Sequence, residues 1–345
     1  MTGIEALKRL WQHVRDALAH RLRRVSPRLF KPGIAPGRFE TGSASSWRGY
    51  ITTAPGVEPA RDYLVYVPRG WNRRARAPLR VLCHGCNQTP EDFAALTRIA
   101  AHADRDGTLV LLPRQSPSAN AWGCWNWFEA NTERGAGEAA IVAAQIIDVR
   151  RRYRARRERV WVAGLSAGGA LAAVLGLRHP RLVRGILVHS GLACGAASSP
   201  ASALSVMRRG PDNDVTRVAD IARGAGRIDA APQVALLVVH GDRDDVVAPE
   251  NAIALVDQFL HFNGHPPAGA AGSLPPSHAS SHEAGGTHYP VRTDDWTRDN
   301  RVDVRFVQIE GLGHAWSGGD RAYAYSDPHG PDALELLDRF IADAG

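Results

Sequence analysis

Gly164-Leu165-Ser166-Ala167-Gly168-Gly169 decides the fold, because this stretch lies between a strand pattern and a helix pattern. Residues 159–163, just upstream, are β-branched and aromatic, which is typical of a buried strand. Residues 170–177, downstream, are rich in Ala and Leu and predict a helix that ends before Pro180. A Gly-x-Ser-x-Gly sequence at such a turn is the nucleophile elbow, in which the glycines let strand and helix pass closely. The stretch therefore predicts an exposed, nucleophilic Ser166 hydroxyl.

A serine nucleophile needs a base, and the base needs an acid that orients it. In this arrangement the three residues follow in the order Ser, Asp, His, each after a strand. An apolar strand pattern at 234–239 runs into a loop with three carboxylates, and the pattern at 302–309 runs into Gly313-His314. We predict His314 as the base and Asp244 as the acid. Asp242 and Asp245 are rivals for the acid, since turn formation and helix capping also use Asp in such loops.

Acyl transfer also needs two donors for the oxyanion. Residues 79–83 read as a strand that runs into His84-Gly85-Cys86, which is where such hydrolases place one backbone N–H. The second is the N–H of the residue after the nucleophile, at the start of a helix. We therefore expect the backbones of Cys86 and Ala167 to form the oxyanion hole; an ordinary strand-to-helix loop is the alternative.

Strand and helix patterns alternate along most of the 345 residues, which predicts an α/β fold: a mostly parallel sheet with helices on both faces. The expected strands cover residues 62–67, 80–83, 108–112, 159–163, 185–188, 234–239 and 302–309. The expected helices cover residues 90–104, 138–153, 250–261 and 332–344. One catalytic domain at 46–345 accommodates this alternation, since domains of this class often exceed 250 residues. No apolar run approaches the roughly 20 residues that span a bilayer.

Five ordered motifs resemble the polyhydroxybutyrate (PHB) depolymerase family of esterases, α/β-hydrolases related to feruloyl and acetylxylan esterases. They are His84-Gly85-Cys86-Asn87-Gln88-Thr89-Pro90, Cys124-Trp125-Asn126-Trp127-Phe128, the 164–169 stretch, His189-Ser190-Gly191 and Gly313-His314-Ala315-Trp316-Ser317-Gly318-Gly319. The resemblance runs from about residue 61 to the C-terminus. It implies Ser166 as nucleophile, Asp244 as acid, His314 as base and Cys86 as an oxyanion donor. It also implies short-chain hydroxyalkanoate polyesters, their oligomers or small esters as substrates, with no metal or organic cofactor.

Two features of that family are absent from the sequence pattern: a secretory signal peptide, and a linker with a substrate-binding domain. We therefore expect a cytoplasmic enzyme that acts on oligomers, amorphous polymer or small esters. A secreted enzyme is the alternative if the true start of the chain differs.

The cysteines Cys83 and Cys86 suggest a metal or redox motif, but Cys124 and Cys194 are isolated, so a zinc site lacks its second pair. Cys83 falls in a strand and reads as a small buried residue. Cys86 and Cys124 are candidates for a disulfide if the compartment is oxidising.

Tryptophans cluster in the same region: Trp122, Trp125 and Trp127 lie within six residues, and Trp316 follows the predicted base. Clustered tryptophans usually belong to a core. On loops beside the catalytic strand ends they also suit a crevice that holds an acyl chain. We predict Trp122, Trp125, Trp316 and Ser190 as substrate-binding residues.

The N-terminal segment, residues 1–45, is strongly basic in its first 31 residues. Lys8, Arg9, Arg15, Arg21, Arg23, Arg24, Arg28 and Lys31 stand against only Glu5 and Asp16, and supply most of the net charge of +7. Apolar residues recur at helical spacing, which predicts a basic amphipathic helix. It either docks on its own domain or binds a granule or membrane surface. The arginine run at 150–159 reads as the solvated end of a helix rather than a nucleic-acid site.

Residues 263–300 form the other unusual segment, rich in Gly, Pro, Ser and His and without periodicity. A long irregular insertion of this kind is either disordered or a functional lid, and we expect a mobile flap near the site entrance. Its irregularly spaced histidines do not suit a metal site.

The sequence thus predicts a serine carboxylesterase that hydrolyses hydroxyalkanoate polyesters or oligomers through Ser166, His314 and Asp244. One alternative is a feruloyl or acetylxylan type of esterase on plant-derived small esters. The other is a granule- or membrane-associated protein that has this fold without turnover.

Overall fold

The computed structural model describes residues 36–46, 60–74, 76–225, 233–266 and 274–345. Residues Gly37–Gly345 form one compact unit. The predicted amphipathic helix of residues 1–31 lies outside the described residues. Residues 38–45, which we grouped with the N-terminal segment, instead form a strand of the main sheet, so the boundary at residue 45 was wrong for them.

Ten of the twelve strands in the described residues build one sheet, in the order β1-β2-β4-β3-β5-β6-β7-β10-β9-β8. Pairing is parallel from β4 through β10 and antiparallel at both flanks. The strands are β1 (Arg38–Ser45), β2 (Ala60–Val67), β3 (Leu79–Cys83), β4 (Leu109–Pro113), β5 (Val160–Leu165), β6 (Gly185–His189), β7 (Ala235–Gly241), β8 (Ala279–Glu283), β9 (Val291–Arg298), β10 (Arg301–Ile309), β11 (Trp316–Ser317) and β12 (Ser326–Asp327). The last two form a small parallel pair of their own.

The helices cover both faces of this sheet, and two separate apolar clusters lie between the layers. They are α1 (Pro90–Leu96), α2 (Ile99–Asp106), α3 (Ala130–Glu133), α4 (Gly137–Tyr153), α5 (Ala167–Arg178), α6 (Pro200–Arg209), α7 (Thr216–Ala225), α8 (Glu250–Asn263) and α9 (Ala333–Ala344). Every residue of β3, β4, β5, β6 and β7 is buried, as expected of parallel strands covered on two faces. In the described part of the chain, each helix is too short or too polar to cross a bilayer.

Two sequence-based expectations about the elements were wrong. The single helix expected at 90–104 is two helices, because Arg98 takes a left-handed conformation (φ 55°) between them. The described part of the 263–300 insertion is not irregular: β8 and β9 extend the sheet beyond β10 in antiparallel pairing. Only 267–273 of that insertion lies outside the described residues.

Candidate active site

The turn between β5 and α5 places Ser166 at the carboxyl end of a central strand. Its backbone has φ 56° and ψ −121°, in the left-handed region that a residue with a side chain rarely adopts. Only glycines fit around it: a Cβ on Gly164 would lie 2.2 Å from the Gly168 oxygen, and one on Gly168 would lie 2.1 Å from the Cys83 oxygen. The local packing therefore requires both glycines of the motif and holds the serine in a strained, fixed turn.

Asp244 and His314 meet at the same sheet edge, after β7 and β10. His314 Nδ1 lies 3.0 and 2.9 Å from the two carboxylate oxygens of Asp244. The backbone N–H groups of Val246 and Val247 also donate to Asp244 Oδ1, at 3.1 and 2.8 Å. Burial by itself raises the pKa of Asp244, but the hydrogen bond and charge of His314 outweigh it and leave the pKa below its usual value. The carboxylate is thus kept ionised against the imidazole.

The rival carboxylates do not reach His314. Asp242 is exposed and accepts a hydrogen bond from the Gly311 N–H at 2.6 Å, which ties its loop to the loop after β10. Asp245 is exposed as well. Of the three carboxylates in this loop, Asp244 alone is buried and contacts the imidazole, so the structure selects between the alternatives that spacing left open.

Ser166 and His314 are brought to one edge of the sheet, but among the described residues no hydrogen bond joins the hydroxyl to the imidazole. Their backbones are linked instead through His189, at the end of β6. The carbonyl oxygen of His189 accepts the Ser166 N–H at 2.9 Å, and its Nε2 accepts the Ser317 N–H at 3.0 Å. One buried residue therefore positions both the serine turn and the loop that carries the histidine.

His189 is suited to this role because it stays neutral. Burial, followed by the nearby charge of His240, lowers its pKa to about 3. An Nε2 that accepts from Ser317 leaves the proton on Nδ1, which can donate to Ser190 Oγ at 3.2 Å. Its ring also stacks on Trp316, with centroids 5.2 Å apart. The sequence places His189 in a motif but predicts no role for it, because spacing does not show which backbone group forms a hydrogen bond with which ring nitrogen.

The two predicted oxyanion donors have no acceptor in the described structure. Within the described residues, neither the N–H of Cys86 nor that of Ala167 donates a hydrogen bond to the protein. The loop around Cys86 is held from several sides: Trp125 Nε1 donates to the His84 oxygen at 3.0 Å, and the Asn87 N–H donates to the Trp122 oxygen at 2.7 Å. A disulfide joins Cys86 to Cys124, whose Cα atoms are 4.2 Å apart. Cys83 and Cys194 are free and buried.

Glu138, at the start of α4, supports the other side of this disulfide, and sequence reasoning missed it. Its carboxylate accepts hydrogen bonds from the backbone N–H of Asn126 at 2.7 Å and from the Asn126 side chain at 3.1 Å. Gln115 donates to it as well, and the same amide of Gln115 donates to the Cys124 oxygen at 2.8 Å. Complete burial is the main cause that raises the pKa of Glu138 to about 7. A glutamate in a helical pattern reads as a surface residue, so no sequence signal pointed to this buried role.

The predicted substrate-binding residues separate into one exposed side chain and three buried ones. Trp122 is 70% exposed, on the loop that contacts Asn87. Trp125 and Trp316 are each 1% exposed and Ser190 is fully buried, so these three have no surface to offer a substrate. Their prediction as substrate contacts was wrong: Trp125 braces the Cys86 loop, and Trp316 packs between Phe93 and His189.

Two apolar side chains that sequence reasoning did not select are exposed beside the site. Tyr325 is 41% exposed, and its ring centroid lies 6.4 Å from that of His314. Val246 is 39% exposed and directly follows the loop residues around Asp244. Both lie in loops of polar composition, so the sequence did not indicate that either side chain lines the site. Among the described residues, no cluster of His, Cys, Asp or Glu is arranged to hold a metal ion.

Comparison with known proteins agrees with this architecture. The chain is 32% identical over 200 residues to poly(3-hydroxyalkanoate) depolymerase C of Paucimonas lemoignei, an alignment that covers 58% of this chain and 48% of that protein. It is 26% identical to feruloyl esterase B of Neurospora crassa, over 58% of this chain and 69% of the relative. The chain thus spans about half the length of the depolymerase it matches.

The fold is shared with a solved esterase. The acetyl xylan esterase from Aspergillus awamori superposes with a TM-score of 0.63 at 19% identity, over 80% of this chain and 94% of that one. The chain therefore has the α/β-hydrolase fold, as the sequence predicted. A family model described as esterase PHB depolymerase matches residues 61–275, which is more than half of the chain. By this match, the chain belongs to the esterase PHB depolymerase family.

Proposed function

We propose that this protein is a serine carboxylesterase with Ser166 as nucleophile, His314 as general base and Asp244 as the orienting acid. The observation that carries the proposal is the buried Asp244 carboxylate, with both oxygens within 3.0 Å of His314 Nδ1, at the sheet edge where Ser166 occupies its strained turn. The esterases among its relatives support the reaction class.

The first half of the reaction forms an acyl-enzyme. His314 holds its Nδ1 proton against Asp244, which leaves the Nε2 lone pair to take the Ser166 proton as Oγ attacks the ester carbonyl carbon. The N–H groups of Cys86 and Ala167 donate to the carbonyl oxygen as it becomes negative. The imidazolium, stabilised by Asp244, then gives its proton to the alkoxy oxygen; the carbon–oxygen bond breaks and the alcohol leaves.

In the second half, His314 takes a proton from water as the water oxygen attacks the acyl carbon. The imidazolium then gives this proton to Ser166 Oγ, the bond between Oγ and the acyl carbon breaks, and the acid leaves. The hydroxyl–imidazole hydrogen bond must form for either half. Such bonds are often long in free enzymes and tighten when substrate binds. The hydrogen bonds through His189 hold the Ser166 turn and the loop that carries His314 in place while the hydroxyl and the imidazole approach each other.

For the substrate, we propose short-chain hydroxyalkanoate polyesters or their oligomers. The family and the depolymerase relative support this class, and the exposed Trp122 and Tyr325 supply an apolar rim on which a polyester segment can lie. The feruloyl esterase relative supports an aromatic or plant-derived ester as the second candidate.

A substrate panel tests the proposal. We expect hydrolysis of p-nitrophenyl butyrate and of hydroxybutyrate oligomers, and slower hydrolysis of methyl ferulate. Ser166→Ala should abolish all three activities, whereas Ser198→Ala, at an exposed serine outside the site, should keep them. Faster hydrolysis of methyl ferulate would favour the second candidate.

A fluorophosphonate probe separates an enzyme from a hydrolase-fold binding protein. We expect one label on wild-type protein and none on Ser166→Ala. Wild-type protein that stays unlabelled would support the binding protein and contradict the esterase.

For location, we propose the secreted alternative in place of the cytoplasmic expectation. The disulfide between Cys86 and Cys124 supports it, because such bonds persist in oxidising compartments and are rare in the cytosol. Fractionation of cells with alkylation of free thiols should find the protein outside the cytosol with both cysteines blocked. A cytosolic protein with four free thiols would contradict the proposal.

We also propose that residues 1–31 attach the protein to a granule or membrane surface, supported by their basic, amphipathic pattern. Deleting them should abolish co-sedimentation with polyhydroxybutyrate granules or anionic liposomes. Unchanged co-sedimentation of the deletion variant would contradict attachment through residues 1–31.

A further inference from the structure

A groove of about 860 Å³ lies along α4, away from the predicted active site. Arginines from three segments converge on it: Arg76, Arg150, Arg151, Arg154, Arg157 and Arg181. No acidic side chain is among the residues that line it in the described structure. Like charges concentrated around one space create a positive potential that favours an anion between them.

The groove arginines lack the acidic partners that several other arginines of the protein have. Arg80, Arg98, Arg178 and Arg305 each pair with a carboxylate within 4.0 Å. Among the described residues, none of the six groove arginines forms such an ion pair. Arg150 Nε is also buried without a hydrogen-bond partner, which leaves a guanidinium donor unsatisfied.

Arg150 is the most constrained of the six. Burial lowers its pKa, and the nearby charges of Arg157 and Arg151 act in the same direction, while Glu158 opposes them. An arginine remains charged in any case. The missing partner is therefore an acceptor of hydrogen bonds with negative charge.

The floor of the groove is apolar rather than charged. Ala140, Ala143, Ala144 and Ile147 recur along α4 at a spacing that puts them on one face of the helix. Three of them are alanines, whose small side chains leave room for a ligand, and Ile147 is 38% exposed. From Ala140 to Arg151 this face is about 16 Å long, at 1.5 Å per residue.

The arginine end of the groove and the catalytic residues lie at opposite edges of the sheet. Arg76, Arg157 and Arg181 come shortly before β3, β5 and β6, whereas Ser166, Asp244 and His314 follow β5, β7 and β10. In parallel strands, residues that precede and residues that follow are at opposite ends. A ligand in this groove is thus distinct from the ester at the active site.

We propose that this groove binds an amphipathic anion, an acyl chain that ends in a carboxylate or a phosphate. The chain lies on the alanine face of α4, and the anionic end is held by Arg150, Arg154 and their neighbours. Single-stranded nucleic acid fits less well, because the described lining has no Phe, Tyr or Trp on which successive bases could stack. Residues 1–31 do not complement the groove, since they too are strongly basic.

Calorimetric titration of the full chain with decanoate tests this inference, with decanol as the uncharged match. We expect decanoate to bind at least tenfold more tightly than decanol and to weaken as salt is raised. The double variant Arg150→Gln/Arg154→Gln should weaken decanoate binding at least tenfold. The control Arg208→Gln/Arg339→Gln removes the same charge from exposed positions outside the groove. It should change the affinity for decanoate less than twofold.

A second variant, Ala144→Phe, tests the apolar floor because it fills the groove and keeps every arginine. It should abolish decanoate binding, while thermal unfolding and hydrolysis of p-nitrophenyl butyrate stay near wild type. No binding of decanoate, or equal loss in the groove and control variants, would overturn the proposal. So would binding of single-stranded RNA that needs Arg150 and Arg154 when decanoate does not bind.

Discussion

The disulfide between Cys86 and Cys124 gives the sharpest test of how the loop around Cys86 is held. The two cysteines are 38 residues apart, and a cross-link of that span removes roughly 13 cal/mol/K of chain entropy from the unfolded state. Opening it should lower the free energy of unfolding by about 4 kcal/mol at 25 °C. For a compact unit of the size of Gly37–Gly345, at about 2.1 cal/mol/K per residue, the melting temperature should fall by about 6 °C.

The same change should reduce turnover more than substrate binding, because it frees the loop that carries the Cys86 N–H, the proposed oxyanion donor. Losing one donor outright costs about 10²–10³ in kcat, and a loosened donor should cost on the order of tenfold. Reduction with a phosphine is clean here: the chain has four cysteines, and Cys83 and Cys194 are already free.

The assay follows melting temperature and kcat for p-nitrophenyl butyrate with and without reductant, with thiols counted at each point. The variant Cys86→Ser/Cys124→Ser is the matched control, which should resemble reduced wild type and ignore the reductant. A fully reduced protein that melts within 1 °C of the oxidised one and keeps its kcat would refute the reasoning.

Four other predictions follow from the site. Asp244→Asn should lower kcat by on the order of 10⁴ with little change in KM, since the amide no longer fixes the imidazole tautomer; steady-state kinetics of a still-folded variant would check it. His189→Phe keeps a ring against Trp316 but leaves the Ser317 N–H without its acceptor. We expect kcat to fall about tenfold and the free energy of unfolding by about 1–3 kcal/mol. An unchanged rate of labelling by fluorophosphonate would contradict the positioning role. Burial raises the pKa of Glu138 from 4.5 to about 7 in the folded protein, so protonation of Glu138 stabilises the fold and this contribution is lost as pH rises through that window. The free energy of unfolding of wild type should therefore fall by about 3 kcal/mol relative to that of Glu138→Gln, measured by denaturant titrations at each pH. Parallel curves for the two proteins would exclude this effect. Trp122→Ala should raise KM for a hydroxybutyrate trimer several-fold and leave p-nitrophenyl acetate unaffected; equal effects on both esters would argue against a polymer-binding rim.

The central strands could be predicted from the sequence because they are buried on both faces. Strands such as β5 and β7 contain almost only apolar residues, and each prediction lies within two residues of the observed bounds. The outer strands β8 and β9 could not be predicted in this way. All of β8 is exposed, and β9 carries mostly charged residues and threonines between its buried Val291 and Trp296, so composition alone made both strands resemble a loop.

Within the site, chain order was enough to predict Ser166, His314 and the loop that carries the acid. It did not separate Asp244 from Asp242 and Asp245, and only the geometry brings Asp244 into contact with His314. The supports around them were not accessible to the same reasoning. His189 and Glu138 act through hydrogen bonds to backbone groups far away in sequence, and Trp125 and Trp316 turned inward because their loops fold onto the core. Which side of a loop faces the interior depends on packing, which spacing does not encode.

The two flanks of the large sheet bear on how the protein behaves at high concentration. All five residues of β8 are exposed and include serines, a histidine and a glutamate, while β1 carries Arg38 and Glu40 among mostly exposed positions. Strands with free backbone donors and acceptors recruit strands of other molecules when they are long, flat and apolar. Charged or short polar side chains dominate both border strands, with Phe39 the exposed exception on β1, so pairing of molecules edge to edge through these strands is disfavoured.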